Sequence, residues 1–219
     1  MARWTPAPLV LWCTNIMQLK AIKTPMKTKL KLLTFASALI LAKTGFAADT
    51  YDIDPVHSYV GFSVSHLVIS NVKGKFNAVK GTLVVDGKKI TEAKGTIETK
   101  SLDTGNAKRD EDVRGTAFFD ADKYPTITFQ TKRVEEKGGE TMMIGDFTMH
   151  GVTKELTLPV KVKGPIKDPW GNDRLALETK TKVNRKDYGI SYNKMLETGG
   201  ALVGDEVEIE INAEATKAK

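Results

Sequence analysis

The chain has one cysteine in 219 residues, Cys13, and it falls within the first 47. Everything beyond residue 47 therefore lacks thiols, which excludes disulfides, thiolate metal ligation and cysteine nucleophiles there. Histidine is nearly as scarce. His57, His66 and His150 are the only three, and no H-x-x-x-H or H-E-x-x-H spacing links them, so no metal centre is expected. The chain has no G-x-S-x-G elbow and no phosphate-binding glycine loop. No apolar run reaches the ~20 residues of a membrane-spanning helix. Aromatic residues make up only 7%, too few for the two girdles of an outer-membrane barrel. Residues 1–47 have no Asp or Glu but hold seven of the 33 Lys and Arg. The remainder carries 26 basic against 27 acidic residues, a net charge of −1, although the whole chain is at +6. The positive balance belongs to the opening segment and gives no argument for a nucleic-acid partner.

That opening segment contains MKTKLKLLTFASALILAKTGFAAD, which starts at Met26. Lys27, Lys29 and Lys31 form a basic region, and Leu32 to Leu41 form an apolar run of about ten residues. Gly45-Phe46-Ala47 supplies small residues at a cleavage site before Ala48. The pattern is that of a bacterial secretory signal. Residues 1–25 then read as an over-extended start, 26–47 as a cleaved signal peptide, and 48–219 as one domain. The alternative is a single long leader. Both readings predict an exported protein of the periplasm, with no lipid-anchoring cysteine after the cleavage site.

Past residue 48, alternation with period two dominates. VEIEINAEA sets Val207, Ile209, Ile211 and Ala213 on one face and acids on the other. ELTLPVKVK does the same with Leu156, Leu158, Val160 and Val162. Such alternation marks half-buried strands. Eight are expected: 58–66, 73–86, 92–99, 126–136, 140–149, 153–165, 174–183 and 205–216. Pro159 cannot donate to a ladder, so a bulge or an unpaired edge is expected there. Asp86-Gly87, Gly138-Gly139 and Asp168-Pro169-Trp170-Gly171-Asn172 are tight-turn signals. In an up-and-down meander these three turns share one end. The long connections 100–125 and 184–204 fall at the other, with the His150-Gly151 turn. The expected fold is all-β: an eight-stranded antiparallel up-and-down barrel, tight at one end and elaborated at its mouth. Strands of ~12 residues at ~3.3 Å each, tilted ~40°, give a cup ~30 Å deep. Periodicity alone leaves open whether its core is hollow or solid.

The two long connections carry the polar candidates. In NAKRDEDVRG, Asn106 caps a short helix and Gly115 ends it. Its polarity all round suggests a lid. Arg109 and Asp110 within it are either a structural pair or an acid–base couple. Phe118 and Phe119 follow, as core or as mouth lining. Arg185 and Tyr188, in NRKDYGI, lie at the same mouth, where the arginine either binds a carboxylate, phosphate or phenolic head group or forms a screened ion pair. His66 and His150 also fall toward the mouth, and His57 toward the tight end. Asp54, His57 and Ser58 have the residue types of a triad, but on an extended segment they would point to alternate faces. No catalytic set is expected.

Six segments, YDIDPVHSYVGFSVSHL, VKGKF, RDEDVRGTAFFDADKYPTITF, GDFTMHGVTKELTLPV, NRKDYGI and VGDEVEIEI, resemble the successive signatures of the YceI-like family. The resemblance covers nearly all of 50–215, in family order and spacing. It implies a lipocalin-like barrel and a secreted or periplasmic protein that binds a polyisoprenoid or isoprenoid quinone, without catalysis and with no cofactor other than such a lipid. The inward positions it implies for the ligand are Phe62, Val64, Ile127, Phe129, Met143, Phe147, Met149, Leu156, Leu158, Leu177 and Ile209; Phe118 and Phe119 are ligand candidates from their own sequence, as core or as mouth lining. One position departs from the family. The family's arginine–aspartate pair is usually followed by a histidine and a leucine, as RD-x-H-L, where this chain has Asp112 and Val113. Two other readings are an enzyme acting on such a lipid and a ligand-free stress or scaffold protein. The sequence leaves room for a homodimer.

Overall fold

The computed structural model describes residues 48–197 and 199–219. The expected start and signal segments, 1–25 and 26–47, lie outside the described residues.

Eleven strands form one antiparallel sheet. They are β1 (Asp49–Ile53), β2 (Tyr59–His66), β3 (Ser70–Phe76), β4 (Val79–Asp86), β5 (Lys89–Glu98), β6 (Leu102–Asp103), β7 (Thr126–Lys137), β8 (Glu140–Met149), β9 (Val152–Lys167), β10 (Asp173–Asn184) and β11 (Val203–Lys217). One helix, α1 (Ala107–Arg114), lies between β6 and β7. β11 pairs with β10 on one side and with both β1 and β2 on the other. β1 also pairs with β4, and β2 with β3. β1 and β2 are thus two halves of one broken staple, as are β3 and β4. Counted that way, the sheet is a closed eight-stranded meander, as the turn signals require.

The breaks are the main departure from the expected strands. The first strand starts nine residues early and is interrupted at 54–58, where Pro55 has no N–H and the Asp54 carboxylate accepts the Val56 N–H at 3.0 Å. The expected strand over 73–86 is two, parted at Asn77-Ala78, whose backbone bonds instead to Ser101 and Glu98. Pro159 pairs in register with Met142 of β8 and causes no bulge. It lies just beyond Val160, the last β9 residue paired with β10, so it occupies the unpaired edge that a missing donor tolerates.

The outer wall is charged. Lys182–Glu206 at 2.7 Å and Lys180–Glu210 at 3.3 Å are cross-strand pairs on its surface, so polarity runs opposite to that of a lipid-embedded barrel. Among the described residues no helix is long and apolar enough to cross a membrane.

The interior has two tiers. Toward the tight turns, Tyr51, Leu83, Val85, Met143, Leu158 and Leu177 pack into a continuous buried cluster. Toward the mouth, a second cluster centred on Val60, Phe76, Phe147, Met149 and Tyr188 forms a lining instead of a plug.

Candidate functional site

The lining of the mouth-side tier encloses a cavity of about 850 Å³. Period-two strands build its wall: β2 contributes Phe62 and Val64, β7 Ile127, β8 Phe147 and Met149, and β11 Ile209. A much smaller void of about 100 Å³ lies among residues of the packed tier. Phe129, Met143, Leu156, Leu158 and Leu177 line that void, while Ile127, Phe147 and Ile209 touch both spaces. The wall residues expected from the sequence therefore all face the interior, but they are divided between the tiers. The expected cup ~30 Å deep is hollow only toward the mouth: large apolar side chains pack the tier below it.

Several cavity residues were missed. Val60, Phe76, Ile97, Val183, Val207 and Ile211 all line it. Period-two alternation places Val60 beside Phe62, and Val207 and Ile211 beside Ile209, which is a sufficient signal for all three.

The mouth is covered by α1 and the segment after it. Asn106 caps the helix by accepting the Arg109 N–H at 3.0 Å, and Gly115 ends it in extended, not left-handed, backbone. Arg109, Glu111, Asp112 and Val113 of this lid face the cavity, as do Phe118 and Phe119 after it. Phe118 stacks at 4.9 Å on Tyr192 from the opposite loop, and Phe119 meets Phe76 edge-on at 6.0 Å. Both phenylalanines are mouth lining.

The polar candidates separate by their hydrogen bonds. Arg109 and Asp110 form no ion pair with each other. Both hold Thr104: Asp110 Oδ1 accepts from its N–H at 2.8 Å and its hydroxyl at 2.6 Å, and Arg109 donates to its Oγ1 and carbonyl at 2.8 and 2.9 Å. Asp110 is buried by that role, whereas Arg109 still faces the cavity.

Of the two expectations for Arg185, the ion pair is present, to Asp205 at 3.3 Å, but it is buried at the arginine, and no donor is left free for a head group. It is 4% exposed, and its donors go to the carbonyls of Gly204, Ile190, Tyr192 and Val203 and to Asp205. Five donors meet five acceptors, so none is left for a head group. Burial lowers its pKa from the ordinary arginine value. It is a latch that gathers the 185–205 loop.

Tyr188 and His150 are corrected likewise. Tyr188 is buried edge-on against Phe147 at 5.4 Å, and burial raises its phenol pKa. His150 stands 3.0 Å from the Tyr188 carbonyl and packs on Tyr124 at 4.3 Å. Neither lines the cavity. His66, the last residue of β2, does.

Away from the cavity, Asp54, His57 and Glu214 bring ligand atoms within 4.8 Å of one another. The Arg174 guanidinium already stands among them. It donates to Asp54 at 3.1 Å, to Glu214 at 2.5 Å and to Asp168 at 2.9 Å, and so supplies the positive charge that a metal would bring. The turn at 54–57 also brings His57 Nδ1 to 2.9 Å from Asp54, contrary to the extended geometry expected. Ser58 bonds to the backbone of Glu214 and makes no bond to His57, so no nucleophile–base contact exists there.

A barrel with this lining has clear relatives. The YceI-like domain model matches residues 51–215. Protein YceI of Shigella flexneri is 37% identical over 198 residues, which is 89% of this chain and all of that protein. Among solved structures, Burkholderia cenocepacia BcnA superposes with a TM-score of 0.65 at 24% identity, covering 75% of this chain and 99% of BcnA. A polyisoprenoid-binding domain from Saccharophagus degradans, implicated in plant cell wall breakdown, superposes at 0.57 with 15% identity, covering 77% and 98%. The family match spans all eight staves of the barrel, and the chain belongs to the YceI-like family.

Proposed function

We propose that this protein binds a long-chain isoprenoid lipid, of the polyprenyl or isoprenoid quinone type, and carries or stores it in the periplasm. The observation that carries this reading is the 850 Å³ apolar-walled cavity beneath a helical lid. Its volume is near the top of the range for small-molecule sites, about 300–1,000 Å³. Its wall is Phe, Val, Ile and Met, with polar groups confined to the mouth. Affinity then comes from burial, at ~0.8 kcal/mol per CH₂. The signal-like segment 26–47 supports export, and the polyisoprenoid-binding relative supports the ligand class.

The rim suits a neutral or weakly polar head group. Glu111 and Asp112 are both held by Lys108, at 3.2 and 3.3 Å, so the lid's charges largely cancel. Arg109 and His66 line the cavity beside the hydroxyl side chains of Ser65, Thr104, Thr116 and Tyr192. The protein is a binding protein in this reading, with no residue assigned a chemical step.

Phe147→Glu tests it directly. Phe147 touches both the cavity and the deeper void, and an unpaired carboxylate in that wall is strongly disfavoured. The variant is expected to lose nearly all binding of a detergent-solubilised prenol, with circular dichroism checking the fold. A folded variant that binds normally would show that the lipid is held elsewhere.

A further inference from the structure

The mouth has an apolar lip that the cavity does not use. Val68, Ile69 and Met195 are exposed at 67%, 84% and 76%. They stand on two adjoining loops, 67–69 between β2 and β3 and 194–202 before β11. The loops are fastened together and to the rim. Leu67 N–H donates to the Leu202 carbonyl at 2.9 Å, and Leu202 itself lines the cavity. A Cβ on Gly200 would stand only 2.9 Å from Val68 Cγ2. The second loop is a small hairpin, closed by Leu202 N–H to Lys194 O at 2.8 Å and by a Met195–Ala201 bridge.

The lip is built at a cost. Leu67 and Val68 have φ of 55° and 65°, a conformation disfavoured for any non-glycine residue and most of all for β-branched valine. Backbone strain of this kind persists where the surrounding structure enforces it and clusters at functional sites. Here it lies in the turn that carries the exposed Val68 and Ile69.

The surroundings are basic. No Asp or Glu occurs from residue 55 to residue 85. Lys73 and Lys75 project from β3, and Lys194 adjoins Met195. Among the described residues none of these three lysines is ion-paired. Glu197 is the acid in the second loop.

We infer that this lip docks on a phospholipid bilayer with an anionic surface, inserting Val68, Ile69 and Met195 beside the cavity opening. The inference rests on the lipid reading of the cavity, because a cargo insoluble in water must pass directly between the mouth and a membrane. Apolar tips with Lys194 beside them and Lys73 of β3 four residues on from Ile69 complement an interface with apolar chains below and negative head groups above. A protein partner or a second copy of the chain would also cover the patch, but neither explains its place on the rim of a lipid cavity.

The test is flotation of the purified protein with protein-free vesicles of phosphatidylethanolamine and phosphatidylglycerol. The parent is expected to float, and less so as salt screens the lysines. Ile69→Ser/Met195→Ser is expected to lower the partition coefficient by roughly tenfold or more. It should slow cargo transfer to acceptor vesicles and leave melting temperature and prenol binding in detergent unchanged. Phe147→Glu should float like the parent even as it loses cargo, which separates failure of the lip from failure of the cavity reading. A double variant that floats like the parent overturns the inference. So does a parent that ignores these vesicles, whether it then binds only membranes bearing proteins or dimerises through the lip.

Discussion

Two arginines show how strongly the surroundings decide what one residue type does. Arg174 sits among three carboxylates, and their hydrogen bonds raise its pKa further above the ordinary arginine value. Arg185 sits among carbonyls and is buried, which lowers it. Both are committed to holding the chain, but the first does so through charge and is therefore sensitive to pH. Asp54 is held at about 2, chiefly by its bond to His57 with Arg174 adding to it. Asp168 is also held at about 2, chiefly by Asn172 with help from Arg174. An unfolded aspartate titrates near ~3.9. Both folded values are depressed, so the stabilisation is complete above roughly pH 4 and is lost as pH falls toward about 2. Asp54→Asn and Asp168→Asn are each expected to lower the melting temperature at neutral pH and to flatten its fall over that acid window. A variant whose profile runs parallel to the parent's through the window would show that its carboxylate is not linked to folding.

At the scale of elements, the lid depends on one buried acid. Asp110 lies in the first turn of α1, where a negative charge is favourable, and its two bonds to Thr104 fasten the helix to the chain beyond β6. Asp110→Ala removes both acceptor contacts and leaves the half-buried Thr104 N–H and hydroxyl without them, a cost of about 1–3 kcal/mol. The barrel wall does not use Asp110, so circular dichroism should be unchanged. Proteolysis within 104–119 and the rate of prenol release should each rise roughly tenfold or more. Release at the parent's rate would mean that the lid is not what retains the cargo. This contact also marks where the sequence stops being legible. The helix, its cap and the strands were readable because alternation and capping are local patterns, and a slip of one residue would turn every inward side chain outward. The breaks at 54–58 and 77–78 were not readable, since the backbone bonds that replace the ladder at Asn77-Ala78 come from distant segments. The latch at Arg185 was not readable either, because its acceptors are mostly main-chain carbonyls, which every residue has. Nor was Asp54–His57, whose contact depends on a turn where an extended segment was expected.

At the scale of the whole molecule, the barrel is half solid and half hollow. Alternation gives the direction of each side chain but not the volume left between them, so the division could not be read from the pattern. It sets a limit on what the cavity holds. A water-sized group takes about 30 Å³, so 850 Å³ accommodates roughly 28 non-hydrogen atoms, or about five to six isoprene units. Below that length each added unit finds apolar wall, and affinity should rise steeply at ~0.8 kcal/mol per CH₂, less the cost of ordering the chain. Above it, further units must leave through the mouth, since the void beyond Phe147 is only about 100 Å³. Dissociation constants for prenols from about two to about ten units should therefore fall steeply and then level off near five or six. The plateau should not depend on whether the head is an alcohol or a quinone. A constant that keeps falling past eight or so units would mean that the packed tier opens to admit the chain. One that is flat from the shortest prenol onward would place recognition at the rim, with Arg109 and His66 in place of the wall.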